Sequence, residues 1–164
     1  MPRLALGTVL GLLALTGCSD ASDPAQDAAD VAEIRAMHDN PGVVPVSVGR
    51  IGYPEIEKYG LFGMGCAFAP GTSIAVTVVA QREHAFMIID DVLITFAADK
   101  GSTELPMQAW SHYDAKDYSL RLEREEGAEA QDGIESLSWP GSVTLTDAQG
   151  RAVYSESGKV QCGS

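Results

Sequence analysis

Tyr118-Ser119-Leu120-Arg121-Leu122-Glu123 is the stretch that decides the fold. Tyr118, Leu120 and Leu122 alternate with Ser119, Arg121 and Glu123. Successive side chains of an extended chain point to opposite faces, so this period of two predicts a half-buried strand with one wet face. Upstream, Ile74, Val76 and Val78 alternate with Ala75, Thr77 and Val79 across Ser73 to Ala80. Phe86 to Ile89 and Val92 to Phe96 flank Asp90-Asp91 and read as a hairpin, although Asp-Gly would be the stronger turn signal. Asp99-Lys100-Gly101 makes a further turn, and Leu105 to Trp110 is expected to be a strand that Pro106 confines to an edge or a bulge. Downstream, Glu125 to Gly133 is acidic, lacks large apolar residues and reads as a loop. Ile134 to Trp139, Val143 to Thr146 and Ala152 to Ser155 follow, the last two separated by the turn Asp147-Ala148-Gln149-Gly150. About seven to eight strands, with turns roughly every 8–12 residues, predict a mostly β domain: a small antiparallel sandwich or barrel.

Ahead of this region the period changes. Gly60, Gly63 and Gly65 read as backbone bends before a strand, since GxGxxG spacing is not met. Tyr53-Pro54-Glu55-Ile56-Glu57-Lys58 reads as one helical turn, and Pro45 to Ile51 alternates loosely. A short N-terminal helix is expected from Asp23-Pro24, with Asp as N-cap and Pro in the first helical position. Val31, Ile34 and Met37 recur at three-residue spacing and suggest an amphipathic face, and Asn40-Pro41-Gly42 would end the helix. Residues 19–30, SDASDPAQDAAD, hold no large apolar side chain and cannot bury enough surface to offset their ordering entropy. There is no internal repeat. The domain plan is therefore a signal over residues 1–17, an acidic tether with a possible short helix over 18–44, and a β domain over 45–164.

The signal rests on MPRLALGTVLGLLALTG. Arg3 precedes an uncharged run, Leu4 to Leu15, which is shorter than the roughly 20 apolar residues needed to span a bilayer and has the length of a signal-peptide core. Leu15-Thr16-Gly17-Cys18 resembles the lipobox of bacterial lipoproteins: an aliphatic residue, two small residues and a cysteine. The resemblance implies that Cys18 receives a diacylglycerol on its sulfur, becomes the mature N-terminus after cleavage, and is acylated on its new amine. Each buried CH₂ contributes about 0.8 kcal/mol, so several chains anchor firmly where one is marginal. Ser19 rather than Asp after the cysteine favours, by the sorting rule of enteric bacteria, an outer-membrane location facing the periplasm.

Export sets the reading of the other cysteines. The chain has three. With Cys18 lipidated, Cys66 and Cys162 remain, and in an oxidising compartment the pair is expected to form a disulfide clamping the β region. A metal pair or redox thiol is the competing reading, but there is no CxxC spacing and no histidine close to either in sequence.

The 164 residues carry a formal charge of −12, with 45% hydrophobic and 21% charged residues. That is one globular domain's worth. Its acidity excludes a nucleic-acid footprint, disfavours anionic lipid headgroups, and would steer a basic protein partner at low salt.

No cofactor or metal site is legible. His38, His84 and His112 stand at no metal-ligating spacing, no serine sits in GxSxG, and no calcium loop occurs. Asp90-Asp91, Glu123, Glu125-Glu126 and Asp132 would be available as paired carboxylates, but neighbouring acids are expected in a chain with 23 of them. The most function-like segment is Trp110-Ser111-His112-Tyr113-Asp114-Ala115-Lys116-Asp117-Tyr118. Its Trp110, His112, Tyr113 and Asp114 form a candidate recognition surface; the plainer reading is a turn whose aromatics pack the core.

Through Leu61-Phe62-Gly63-Met64-Gly65-Cys66-Ala67-Phe68, Tyr118-Ser119-Leu120-Arg121-Leu122 and Val160-Gln161-Cys162-Gly163, the domain resembles uncharacterised exported lipoproteins of Gram-negative bacteria. More weakly, Trp139-Pro140-Gly141 and Cys162 resemble the membrane-bound inhibitors of c-type lysozyme, small lipid-anchored β domains with a cysteine pair. The serine-glycine-x-x-tyrosine loop that enters the lysozyme cleft in that family is missing here. The expectation is a lipid-anchored periplasmic β domain acting as a non-enzymatic binding or envelope-maintenance module. The alternatives are a lysozyme-inhibitor-like protein or a small hydrolase whose site is assembled only in space. Lipidation is directly testable: the wild-type chain should incorporate labelled fatty acid in a Gram-negative host, Cys18→Ala should not, and equal label in both would remove the anchor.

Overall fold

The structure is a computed structural model that describes residues 23–39, 42–128, 130–132 and 136–164. The signal stretch, Cys18, Asn40-Pro41 and Ile134 lie outside the described residues. The chain divides into two units, residues 1–42 and 43–164.

The first unit holds helix α1, Pro24–Asp39. It starts at the Asp-Pro signal: the Asp23 carboxylate accepts the Ala25 N–H at 3.0 Å, satisfying a donor that no helical carbonyl can reach. Val31, Ile34 and Met37 make no buried face, because α1 buries none of its side chains. Its helicity rests instead on propensity, with alanine at 25, 28, 29, 32 and 36.

The second unit comprises β1 (Val48–Gly49), α2 (Tyr53–Tyr59), β2 (Gly65–Pro70), β3 (Val78–Ala80), β4 (His84–Ile89), β5 (Val92–Ala98), β6 (His112–Asp114), β7 (Tyr118–Arg124), β8 (Gln131–Asp132), β9 (Ser136–Asp147) and β10 (Ala152–Gly163). From β2 onward each strand pairs antiparallel with the next, β8 excepted, and β10 pairs back onto β2. The result is a closed eight-stranded up-and-down barrel. β1 and β8 take no place of their own in the ring. β1 pairs with Ile88 and Ile89 of β4, beyond the last β3 contact at Met87, and β8 pairs with Leu137 and Ser138 of β9, beyond the last β7 contact at Gly141.

Alternation fills the interior. Phe68, Val78, Met87, Phe96, Tyr113, Leu120, Val143, Leu145 and Val160 are fully buried, one or two from each strand. Val46 and Val48 pack on this core at the end where β4 finishes, and Leu105 and Met107 do so at the opposite end. The β4–β5 hairpin forms where expected. Asp90 and Asp91 have φ of 48° and 65°, the left-handed pair of a type I′ turn, and aspartate tolerates that region better than most residues. Ser47 holds the turn: its N–H donates to the Asp90 carboxylate at 2.9 Å and its carbonyl accepts the Asp90 N–H at 2.8 Å.

Several strand boundaries differ from the sequence reading. The run from Ser73 pairs as a strand only from Val78, because opposite it β2 finishes at Pro70, which has no N–H, and Gly71 (φ 56°) turns the chain. Val76 makes one isolated bridge to Ile51, and Ile74 is left 99% exposed. Leu105 to Trp110 is not a strand. Met107 and Gln108 have φ of 57° and 60°, which no strand accommodates, and Pro106–Gln108 forms a 3₁₀ turn. β8 lies inside the segment read as loop. β9 runs unbroken through Pro140 and Gly141. The Pro140 carbonyl accepts the Glu125 N–H at 3.0 Å, so its ring nitrogen faces the same side, just past the end of β7, where no donor is required. Gly141 is needed there, since a Cβ would strike the Glu123 carbonyl.

Cys66 and Cys162 are disulfide-bonded and sit opposite each other on the β2–β10 seam. The bridge closes a loop with a sequence separation of 96, for which the chain-entropy argument gives roughly 4.7 kcal/mol as an upper figure. The native protein should show no free thiol at either position. Replacing both cysteines by alanine should lower unfolding stability by about 2–5 kcal/mol in a denaturant titration. A double variant as stable as the parent would remove the bridge from the stability account.

Candidate functional site

β6 carries three of the four residues singled out as a recognition surface, and its alternation divides them. Tyr113 points inward and is 0% exposed, so it belongs to the core and not to a surface. Its hydroxyl accepts the Trp110 N–H at 2.7 Å and donates to the Gln81 carbonyl at 2.9 Å. The Trp110 indole N–H donates to the Arg82 carbonyl at 3.0 Å. These three bonds tie the β5–β6 connection to the β3–β4 connection and fix one end of the barrel. Burial pushes the Tyr113 phenol up to about 12, because the phenolate would lose its water.

His112 and Asp114 point outward. The His112 ring lies between two carboxylates, Nδ1 at 3.2 Å from Asp99 and Nε2 at 3.4 Å from Asp114. The Ser119 hydroxyl donates to the same Asp114 oxygen. Asp99 is held below the usual carboxylate range, first by the Gly101 N–H and then by His112. A hydrolytic triad needs an imidazole nitrogen facing a serine oxygen. Here the serine donates to a carboxylate and both ring nitrogens face carboxylates, so the cluster is a chain of polar side chains running from Asp99, just past β5, across β6 to β7. Of the acids flagged as possible pairs, Asp90 and Asp91 form the hairpin turn. Among the described residues no group of three or more metal-ligating side chains converges.

A second feature was not apparent in the sequence. On the outer wall, β2 presents Gly65, Ala67 and Ala69, which form the floor of a groove of about 480 Å³. Ile56 and Leu61 from α2 and its C-terminal flank, Ile74 from the β2–β3 connection and Val79 of β3 wall it. Lys159 on β10 stands beside Ala69 and is the single charged group among the described residues lining it. α2 is positioned by a Gly52 N–H bond to the Glu55 carboxylate at 2.8 Å and by Gly60, whose φ of 68° ends the helix. The alternation of small Gly65, Ala67 and Ala69 with larger Cys66 and Phe68 was the available signal, but it points to a groove only once α2 is known to lie beside it.

No protein-family model, curated protein or solved structure matches the chain.

The two halves of the expected surface should separate on mutation. Tyr113→Phe leaves the Trp110 N–H and the Gln81 carbonyl unpaired in a buried place and should cost about 1–3 kcal/mol, whereas His112→Ala on the outer wall should cost under about 1 kcal/mol. The Tyr113 phenol is raised above its unfolded value of about 10, so the native state keeps a proton that the unfolded state releases. Its contribution is therefore complete below about pH 10 and lost between about pH 10 and 12. Urea unfolding midpoints across that window, compared between the parent and Tyr113→Phe, read both effects. Equal costs for the two substitutions, or no narrowing of the gap at high pH, would contradict the assignment.

Proposed function

We propose that the chain is a lipid-anchored binding module of the bacterial envelope, held through Cys18 and facing the periplasm, that meets its partner with the outer wall of its barrel. The observation that carries this reading is the packed interior. Phe68, Met87, Phe96, Tyr113 and Leu120 occupy the space where a wider barrel holds a ligand, which leaves recognition to outward-facing side chains. The signal-like N-terminus and the tetrapeptide ending at Cys18 support the anchor. The paired cysteines fit an oxidising compartment. The charge of −12 favours a basic protein partner over nucleic acid.

The residues behind the weaker likeness to lysozyme inhibitors serve the sheet. Trp139 is buried, and Pro140 and Gly141 lie within β9 where β7 ends. None of the three is free to enter a catalytic cleft.

Lysozyme is itself a basic protein, so it tests the two readings together. Charge alone should give weak association at low ionic strength that fades as screening approaches a Debye length of about 8 Å at 0.15 M salt. Contacts buried in a cleft outlast that screening. Cell-wall lysis by c-type lysozyme with added protein should therefore be unaffected at physiological salt. Stoichiometric inhibition that persists there would replace the binding-module reading with the inhibitor reading.

A further inference from the structure

The outer groove is built for a particular shape of ligand. Its floor is a single row along β2, from Gly65 to Ala69, about 13 Å long at roughly 3.3 Å per residue. A row one strand wide and floored by glycine and alanine receives a narrow, linear body. Its volume of about 480 Å³ lies within the roughly 300–1,000 Å³ of small-molecule sites.

The chemistry of the floor narrows the class further. β2 is paired on both sides, with β3 and with β10, so its backbone donors and acceptors are engaged in the sheet. Glycine and alanine add no polar atoms. Ser73 and Gln161, which stands opposite Ala67, are the uncharged polar side chains among the described residues lining the groove, too few to satisfy the amides of a peptide lying along it. An alkyl chain needs no such partners, and would cover Val79, Ile56 and the otherwise bare Ile74.

Lys159 supplies the charge. It stands opposite Ala69 at the Ile74 end of the row, and it makes no ion pair with any carboxylate among the described residues. No acid lines the groove among those residues. In a chain of charge −12, an apolar trough with one unpaired cation at its end is locally inverted. We infer that this groove binds a free fatty acid, with the carboxylate at Lys159 and the alkyl chain running along Ala69, Ala67 and Gly65 toward Leu61. The inference deepens the binding-module reading by naming a ligand and rests on it only in taking the chain to bind rather than to transform.

Photolabelling tests it on the full chain, with Cys18→Ser so that no lipid is attached there. The probe is dodecanoate carrying a diazirine at its tail, and the labelled residues are mapped by mass spectrometry. Label should fall between Ile56 and Ala69 and be competed by dodecanoate, but far less by dodecanol or dodecyltrimethylammonium. Lys159→Glu should reduce that label by about tenfold or more, the equivalent of one charge-assisted bond, while Lys159→Arg retains it. Ala67→Leu, which fills the floor, should abolish it. Because Lys159 is exposed, Lys159→Glu keeps the test decisive even if Ala67→Leu fails to fold. Label unaffected by Lys159→Glu, label outside the groove, or equal competition by the cationic amphiphile would overturn the inference. Salt-dependent association of the wild-type chain with lysozyme is a separate readout. Its absence beside intact groove labelling would count against a basic partner and not against the fatty-acid site.

Discussion

Pairing between β2 and β10 is the constraint on which the rest of the barrel depends. Left open, the sheet would expose the unpaired backbone groups of two edges and one side of its apolar layer to water. Closing it gives both strands a second neighbour and wraps the inward residues into one enclosed core. The seam is tight where β10 passes the end of β2. A Cβ at Gly158 of β10 would strike the Ala69 carbonyl of β2, so glycine is required for the two strands to approach, and on the other flank of β2 a Cβ at Gly65 would strike the Ala80 carbonyl of β3. The Cys66–Cys162 bond holds the seam from within, its sulfurs on the buried face.

Closure also divides the labour of each strand. In β2, Cys66 and Phe68 face the core while Gly65, Ala67 and Ala69 face outward. In β6, Tyr113 fixes one end of the barrel while His112 and Asp114 join the outer chain of polar side chains. A slip of one residue in either register would exchange the two sets, placing small or charged side chains where the core needs bulk. Stability and recognition are therefore encoded in the same strands at alternate positions.

Where local chemistry sufficed, the sequence was legible. The strict alternation from Tyr118 to Glu123 became β7, Asp90-Asp91 became the hairpin turn, Asp23-Pro24 opened α1, and the two cysteines paired. Two of the failures share a cause: each turned on a neighbour distant in sequence. Proline at 140 reads as a break until β7 is seen to end beside it, and alternation before Val78 reads as strand until β2 is seen to finish at Pro70. Met107 and Gln108, both left-handed without being glycine, gave no local warning of the 3₁₀ turn. The segment around Trp110 stood out for its density of polar aromatics, yet density does not say which way Tyr113 points. The groove stayed hidden because glycine and alanine advertise no chemistry of their own.

The seam has a consequence in time as well as in space. The β4–β5 hairpin joins residues that are neighbours in sequence and needs little chain to form, whereas β2 meets β10 only after nearly a hundred intervening residues have been brought around. Loop closure of that length is paid for before its contacts reward it, which makes ring formation a late event. During synthesis, seven of the eight barrel strands exist before β10 does, and they can curl only into an open sheet with β2 and β9 as bare edges. An open sheet with those edges is the form most prone to pair with another copy, and residues 152–163 are the strand that removes both edges.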